Sequence, residues 1–141
     1  RDHCVTGVQT CALPICLLAL ASRRTPPDVL AIVRDALAQV PGLVWSGPDD
    51  GRNPYPGVLG WADRLVVTPD SVNMLSEACA VGCPVHTLVA APLPDKLARF
   101  HQALRERGLL HDPDAVAPAR QTPLRETAAI ADALQRRMGA R

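Results

Sequence analysis

Short apolar runs alternate along most of the chain with segments of helical periodicity. Leu17–Ala21 is an apolar run that ends in polar residues, and Leu43–Trp45, Arg64–Val67 and Val85–Val89 are further runs of this kind. Runs this short, bounded by polar or turn residues, are typical of buried parallel strands. The pattern therefore predicts four strands with other elements between them.

The first intervening segment carries apolar residues at the spacing of an amphipathic helix. We expect this helix to be capped by Thr25, ahead of two prolines, and to stop at Pro41-Gly42. Its apolar face comprises Leu30, Val33, Leu37 and Val40. Ser46–Pro56 is rich in Gly, Pro, Asp and Asn and is expected to be a loop. The pattern also allows a short helix over Pro56–Ala62.

Three more helices are predicted in the second half of the chain. One follows Asp70-Ser71 and runs to about Val81, where Gly82 and Pro84 end it. The next is closed by Gly108, and its apolar face comprises Leu97, Phe100, His101 and Leu104. The last spans about Leu124–Met138, with an apolar face formed by Thr127, Ile130, Leu134 and Met138.

Alternating strands and helices imply βαβ units and a parallel sheet, and right-handed crossovers place helices on both faces of that sheet. We therefore expect an α/β fold: a Rossmann-like parallel sheet of about four strands with helices on both faces. Ligands of such sheets lie beyond the carboxyl ends of the strands. Three polar segments are expected to converge there, namely Ser22–Thr25, Ser46–Asn53 and Thr68–Asn73.

The opening segment differs in composition from the rest of the chain. Residues 1–16, RDHCVTGVQTCALPIC, have neither helical nor strand periodicity and resemble the translation of a sequencing adapter. We expect a non-native, disordered leader and a single domain over residues 17–141, with native sequence that preceded Leu17 missing. A Cys-rich metal segment and the apolar part of a signal peptide are the alternatives.

Composition narrows the function classes. A net charge of +1 provides no general basic or acidic field, so we expect no nucleic-acid partner and no anionic membrane surface. No apolar run approaches the ~18 residues that a membrane span needs, and we expect a cytoplasmic protein. Cys79 and Cys83 are expected to be small buried hydrophobes, with a redox or metal pair as the alternative. No cofactor and no metal site are predicted.

The strongest chemical signal lies in Val66–Val85, where a strand leads through a tight turn into a helix. The first N–H groups of that helix lack partners within it and favour an anion. Asp70, Asn73 and Glu77 fall on one polar stripe, where a carboxylate can accept hydrogen bonds from ribose hydroxyls. The alternative is that Asp70 or Ser71 is a plain N-cap and Glu77 a solvated surface charge.

Other polar residues are weaker candidates. Ser22, Arg23 and Arg24 follow the first strand, where Arg side chains clamp phosphate or pair with a nearby acid. Thr68 belongs to the turn before Ser71 and is a further candidate for binding the phosphate at the start of that helix. The remaining candidates are Asn53 and Tyr55, which either line the cleft or form a turn; His101, which is packed or catalytic; and His86, which we expect to be structural.

Three stretches together resemble one known family. They are NPYPGVLGWADRLVVTPDSVNMLSEACAVGCPVHTLVA (residues 53–90), SRRTPPDVLAIVRDAL (residues 22–37) and KLARFHQALRERG (residues 96–108). They closely resemble the mitochondrial fission family that was first named for an elongated-mitochondria phenotype in plants. The resemblance covers about Leu17 to the end of the chain. Bacterial members of this family also carry a nucleoside-diphosphate-sugar epimerase label, and we expect a bacterial protein here. No Gly-rich dinucleotide fingerprint supports that epimerase chemistry.

This family in turn resembles the carboxy-terminal half of GT-B glycosyltransferases. The resemblance implies that Ser71, Asn73, Met74 and Glu77 hold a nucleoside diphosphate sugar. It also implies that acceptor groups lie on an amino-terminal half, so that this chain alone would not turn over. Residues 91–95, APLPD, depart from the Gly-rich basic stretch of the family, which puts donor contacts from that loop in doubt. The alternative function is a non-catalytic scaffold with a degenerate nucleotide site.

Overall fold

The structure, a computed structural model, describes residues 16–22 and 24–139. Of the predicted leader, only Cys16 is among the described residues. Arg23 also lies outside the described residues. The chain divides into two compact units, Arg1–Val58 and Leu59–Arg141, which are described separately below. Both units contain helices and short parallel strands, so the predicted mixed α/β class is confirmed.

Unit 1 is built on a strand–helix–strand motif. Strand β1 (Leu17–Leu20) is followed by helix α1 (Pro27–Leu37) and strand β2 (Gly42–Trp45). The two strands are parallel, and their register runs from Leu17 opposite Gly42 to Leu20 opposite Trp45. A side chain at Gly42 would approach the Leu17 carbonyl oxygen to 1.8 Å, so this pairing requires glycine. The predicted first two strands and the helix between them are confirmed.

The ends of α1 differ from the prediction. Its N-cap is Pro26, which has no side-chain capping hydrogen bond, and the Thr25 hydroxyl instead accepts from the Ser22 N–H at 2.9 Å. Thr25 is therefore used to close the preceding turn and does not cap the helix. The helix ends at Leu37, so Val40 lies beyond it.

The loop after β2 is closed by a carboxylate. The Asp50 carboxylate accepts from the Ser46 N–H at 2.7 Å, from the Ser46 hydroxyl at 2.5 Å and from the Arg34 guanidinium at 3.2 Å. A short 3₁₀ turn over Pro48–Asp50 brings Asp50 into this position. The Trp45 indole N–H also donates to the Gly51 carbonyl oxygen at 3.1 Å. These contacts tie the loop both to β2 and to α1. Helix α2 (Tyr55–Trp61) follows, close to the short helix that the pattern allowed.

Unit 2 contains the second pair of strands. Strand β3 (Leu65–Val66), helix α3 (Val72–Cys79) and strand β4 (Val85–His86) form a parallel strand–helix–strand motif. Both strands are shorter than predicted, because regular pairing is limited to Leu65 opposite Val85 and Val66 opposite His86. His86 also forms a parallel bridge with His111, a pairing that the sequence pattern did not predict.

The four strands are paired as two two-stranded sheets, β1–β2 and β3–β4. The structure does not show the expected single sheet of four strands. Both sheets are parallel, as predicted.

Helix α4 (Asp95–Glu106) and helix α5 (Glu126–Gly139) complete unit 2. The core of this unit is aliphatic, as the low aromatic content implies; its fully or almost fully buried apolar residues include Leu75, Ala78, Cys79, Val85, Leu104 and Leu110. Gly82 and Gly108 have φ values of 84° and 67°, which explains why glycine ends α3 and α4. No described helix combines the length and the hydrophobicity that crossing a membrane requires.

The predicted apolar face of α5 is not buried. Ile130, Leu134 and Met138 are 59%, 54% and 75% exposed, and no residue of this helix is buried. The helix has the expected periodicity, but no described part of the chain covers its apolar side.

We expect the Asp50 carboxyl to titrate below its ordinary value of 3.8. The Ser46 hydroxyl is the main cause of the lowered pKa, followed by the Ser46 N–H, with Arg34 contributing less. Because this folded pKa lies below the unfolded one, the stabilisation is complete above the unfolded pKa and is lost as pH falls through the folded pKa. Carbon-13 NMR titration of Asp50 tests this. Ser46→Ala should raise the pKa more than Arg34→Met, and an Asp50 pKa at or above 3.8 in the unsubstituted chain would contradict the geometry.

The two core cysteines should resist thiol reagents. Cys79 and Cys83 are 0% and 2% exposed, and burial, with a smaller contribution from Cys83, raises the pKa of Cys79 to about 11. In a variant with Ser at positions 4, 11 and 16, we expect no reaction with Ellman's reagent at pH 8 until guanidinium unfolds the chain. A variant that keeps Cys16, which is exposed, should release one equivalent at once. Rapid labelling of the native triple-serine variant would show that this core is not closed.

Candidate functional site

The opening of α3 is the best-defined candidate site. Ser71 has extended backbone angles, and its hydroxyl accepts from the Met74 N–H at 3.4 Å, a long bond for an N-cap. Its carbonyl accepts the first helical bond, from the Leu75 N–H at 3.0 Å. The N–H groups of Val72 and Asn73 make no hydrogen bond to any described part of the chain. Of the two N-cap candidates, the structure therefore uses Ser71, and the amides of Val72 and Asn73 are open as far as the described residues go.

The turn that leads into α3 is held by two buried side chains. Thr87 follows β4, and its hydroxyl donates to the Val67 carbonyl at 2.8 Å. The His101 Nε2–H, from α4, donates to the Pro69 carbonyl at 2.8 Å. Because a carbonyl oxygen can only accept, this contact requires the Nε2–H form of the imidazole. Both donors are 1% exposed or less. The carbonyl oxygens of Val67 and Pro69 are therefore both hydrogen-bonded to buried side chains.

Helix α3 has the polar stripe that its sequence predicts. Asp70, Asn73 and Glu77 are all exposed, whereas Leu75 and Cys79 are fully buried. The stripe thus runs along the solvent side of the helix, starting at the two open amides.

Thr68, Val72 and Met74 also lie near the start of α3. Thr68 is exposed and Met74 is half-buried. Val72, the first residue of the helix, is 46% exposed. The first turn of α3 therefore presents a mixed polar and apolar surface, which suits a ligand that has both an anionic group and a less polar part.

The candidates in unit 1 follow the carboxyl ends of its two paired strands. Ser22 forms a tight turn in which its hydroxyl accepts from the Arg24 N–H at 3.1 Å. Arg24 is exposed, whereas Arg23 lies outside the described residues. Because β1 and β2 are parallel and in register, the turn after β1 and the Asp50 loop after β2 lie at the same edge of their sheet.

Asn53 is used as a turn-forming residue. Its side-chain oxygen accepts from the Tyr55 N–H at 2.9 Å, at the start of α2. Tyr55 is half-buried in the first turn of that helix. The structure therefore shows the turn-forming role of Asn53, and the cleft-lining role stays a prediction for both residues.

A second polar cluster lies beyond β4. The His86 Nδ1–H donates to the Asp112 carbonyl at 2.9 Å, and the rings of His86 and His111 are 5.5 Å apart. The Arg105 guanidinium reaches the Asp112 carboxylate at 2.7 Å. His86 is 1% exposed, which agrees with a structural role. Within the described ranges, no group of three or more His, Cys, Asp or Glu residues is arranged to hold a metal ion.

An open groove of about 600 Å³ lies beside α5. It is lined by Arg107, Thr122, Pro123, Arg125, Glu126, Ala129, Ile130 and Ala133. Arg107 and Glu126 form an ion pair across this part of the surface. None of the residues that the sequence assigns to the site line this groove.

The sequence pattern did not identify Thr87 and Asp50, and it named His101 without its partner. The roles of Thr87 and Asp50 depend on partners 20 and 4 residues away, and neither belongs to a recognisable motif. His101 left a signal, because a histidine on the apolar face of a predicted helix must find a partner when it is buried. The sequence could not name that partner, since Pro69 is 32 residues away.

The chain resembles known proteins over most of its length. A sequence model described as "Mitochondrial fission ELM1" matches residues 4–138. The match begins inside the predicted leader, whose non-native origin stays a prediction. The chain is also 37% identical, over 125 residues, to a protein of Arabidopsis thaliana named "Mitochondrial fission protein ELM1". This alignment covers 85% of the chain and 29% of the Arabidopsis protein. No solved structure matches the chain.

The family assignment made from the quoted stretches is thereby confirmed. The matched region includes α3, the turn before it and α4, which together form the best-defined candidate site. The chain belongs to the mitochondrial fission ELM1 family.

Proposed function

We propose that this chain is the nucleotide-sugar-binding half of a GT-B-type, glycosyltransferase-like protein. The observation that carries this proposal is the opening of α3, where the N–H groups of Val72 and Asn73 have no acceptor in the described residues. An anion at such an opening gains about 0.3–1 kcal/mol, and up to roughly 2 kcal/mol when partly buried. We place the diphosphate of the ligand there, next to Thr68, Asp70 and Ser71.

The sugar hydroxyls of the nucleotide would bind along the polar stripe of α3. Glu77 is exposed on that stripe, between one and two turns from the helix start. Its two carboxylate oxygens are suited to accept from the two neighbouring hydroxyls of a ribose. Asn73 would contact the phosphate or the ribose, and the half-buried Met74 would pack against the less polar part of the ligand.

Unit 1, taken by itself, has its own proposed phosphate-binding and cleft residues. Ser22, Arg23 and Arg24 follow β1, and Arg side chains bind phosphate through paired N–H groups. Asn53 and Tyr55 are proposed as cleft residues. The finer fold that we propose is a Rossmann-like sheet of about four strands. Its support is that both sheets are parallel and that each has a helix between its strands.

The activity of the whole protein is a separate proposal, since the chain spans 29% of its Arabidopsis relative. We propose that an amino-terminal half carries the acceptor site and the catalytic group, that the chain alone is inactive, and that the protein acts in the cytoplasm. We assign the two roles to separate halves because of the GT-B resemblance, since such enzymes catalyse the reaction in a cleft between two halves.

Nucleoside diphosphates should bind to the chain with millimolar or better affinity. Isothermal titration with UDP, GDP and ADP tests this. Glu77→Ala should weaken binding by about ten- to a hundredfold, because hydrogen bonds to a charged group are worth roughly 1.5–3 kcal/mol. Uridine, which has no phosphate, should bind far more weakly than UDP.

The matched control is Glu106→Ala, which removes another exposed glutamate, on α4, whose carboxylate accepts from Gln102. This variant should bind like the unsubstituted chain. If no nucleotide gives heat or an NMR shift change at millimolar concentration, or if both glutamate variants bind equally, the nucleotide proposal is wrong.

A non-catalytic scaffold is the second candidate function. The exposed apolar face of α5, formed by Ile130, Leu134 and Met138, favours it, as does the fission name of the Arabidopsis relative. A pull-down from the native host should then capture a partner that is lost on Leu134→Glu and retained on Glu77→Ala. A partner lost only with Glu77→Ala would instead support the nucleotide site.

A further inference from the structure

His101 is an unusual choice for a core position of α4. Its side chain is 1% exposed, and one ring nitrogen donates to the Pro69 carbonyl at 2.8 Å. The other ring nitrogen, Nδ1, is buried with no hydrogen-bond partner among the described residues. Leucine at this position would fill space without leaving a buried polar atom unpaired. What the imidazole provides, and leucine would not, is the hydrogen bond to Pro69.

That hydrogen bond restrains the least restricted backbone angle of the turn, which is ψ of Pro69. Thr68 precedes a proline, which restricts it to extended conformations. Pro69 has its own φ fixed by its ring. The orientation of the Pro69–Asp70 peptide plane therefore depends mainly on ψ of Pro69. A donor on the Pro69 carbonyl oxygen holds this remaining angle.

The peptide plane in question lies directly before the N-cap. With its carbonyl oxygen bonded to α4, the Pro69–Asp70 peptide cannot turn that oxygen toward the open N–H groups of Val72 and Asn73. A carbonyl oxygen there would carry a partial negative charge and would repel an anion. The Thr87 hydroxyl holds the Val67 carbonyl in the same way, two residues earlier.

We propose that His101 is a positioning residue for the anion site at α3. It sets the Pro69–Asp70 peptide so that the helix start presents N–H groups, and no carbonyl oxygen, to a diphosphate. His101 acts through Pro69 and does not contact the ligand. The inference rests on the proposed function for its ligand, while the peptide geometry is measurable without any nucleotide.

The experiment compares three variants of the full chain. His101→Gln keeps an N–H donor at a similar reach, His101→Leu removes the donor, and Leu104→Ala perturbs an equally buried site on the same helix that makes no hydrogen bond to the turn. Each variant is titrated with UDP and with inorganic pyrophosphate, and its melting temperature is recorded. Nitrogen-15 NMR reports the tautomer of His101, and carbon-13 NMR reports the Pro69 carbonyl.

The expected results separate positioning from general stability. We expect the Nε2–H tautomer, a displaced Pro69 carbonyl signal in His101→Leu, and a loss of anion affinity of about tenfold in that variant, the value of one anion–helix contact. His101→Gln should retain affinity within about threefold of the unsubstituted chain, because the donor to Pro69 is kept. Leu104→Ala should bind normally at a comparable loss of melting temperature.

Several outcomes would overturn the inference. These are an Nδ1–H tautomer, an unmoved Pro69 carbonyl signal in His101→Leu, equal affinity loss in all three variants, or no affinity loss in His101→Leu. If the unsubstituted chain binds neither probe, the proposed function fails. The tautomer and the Pro69 signal then decide separately whether His101 controls the turn.

Discussion

The turn between β3 and α3 depends on two hydrogen bonds that buried side chains make to its carbonyl oxygens. Thr87 holds Val67 and His101 holds Pro69, each at 2.8 Å. A turn that follows so short a strand has little regular pairing to stabilise it, and buried donors are effective because no water competes for the carbonyls. The first amides of α3 have no acceptor within the helix itself. The two hydrogen bonds from the interior of unit 2 fix the carbonyl oxygens of Val67 and Pro69 in the turn before those amides.

In unit 1, a side-chain acceptor rather than a side-chain donor holds a loop in place. There the Asp50 carboxylate accepts from the Ser46 N–H and hydroxyl, within the loop after β2, and from Arg34 of α1. That loop is closed on itself. The two loops therefore differ in what they can offer a ligand. At α3 the N–H groups of Val72 and Asn73 have no acceptor among the described residues, whereas at Asp50 the N–H and hydroxyl of Ser46 are already bonded to the carboxylate.

The two candidate functions depend on different surfaces of unit 2. Nucleotide binding uses the start of α3 and its polar stripe, where polar groups are positioned by the core. Partner recruitment uses α5, whose apolar side is exposed and whose neighbouring groove contains none of the proposed nucleotide-site residues. The two functions are not exclusive, since they use different helices of unit 2. Membership in the mitochondrial fission ELM1 family is compatible with both.

Sequence by itself determined the order of strands and helices, the family, and a helix start at Asp70 or Ser71, because apolar periodicity, proline and glycine positions, and N-cap chemistry are local properties of the chain. It also identified Cys79 and Cys83 as buried. Tertiary structure decided which donors hold the turn, since His101 and Pro69 are 32 residues apart. It also decided that Thr25 closes a turn, that strands β3 and β4 pair over two residues each, and that α5 keeps its apolar face exposed. Such outcomes follow from which segments meet in space, and local sequence pattern does not contain that information.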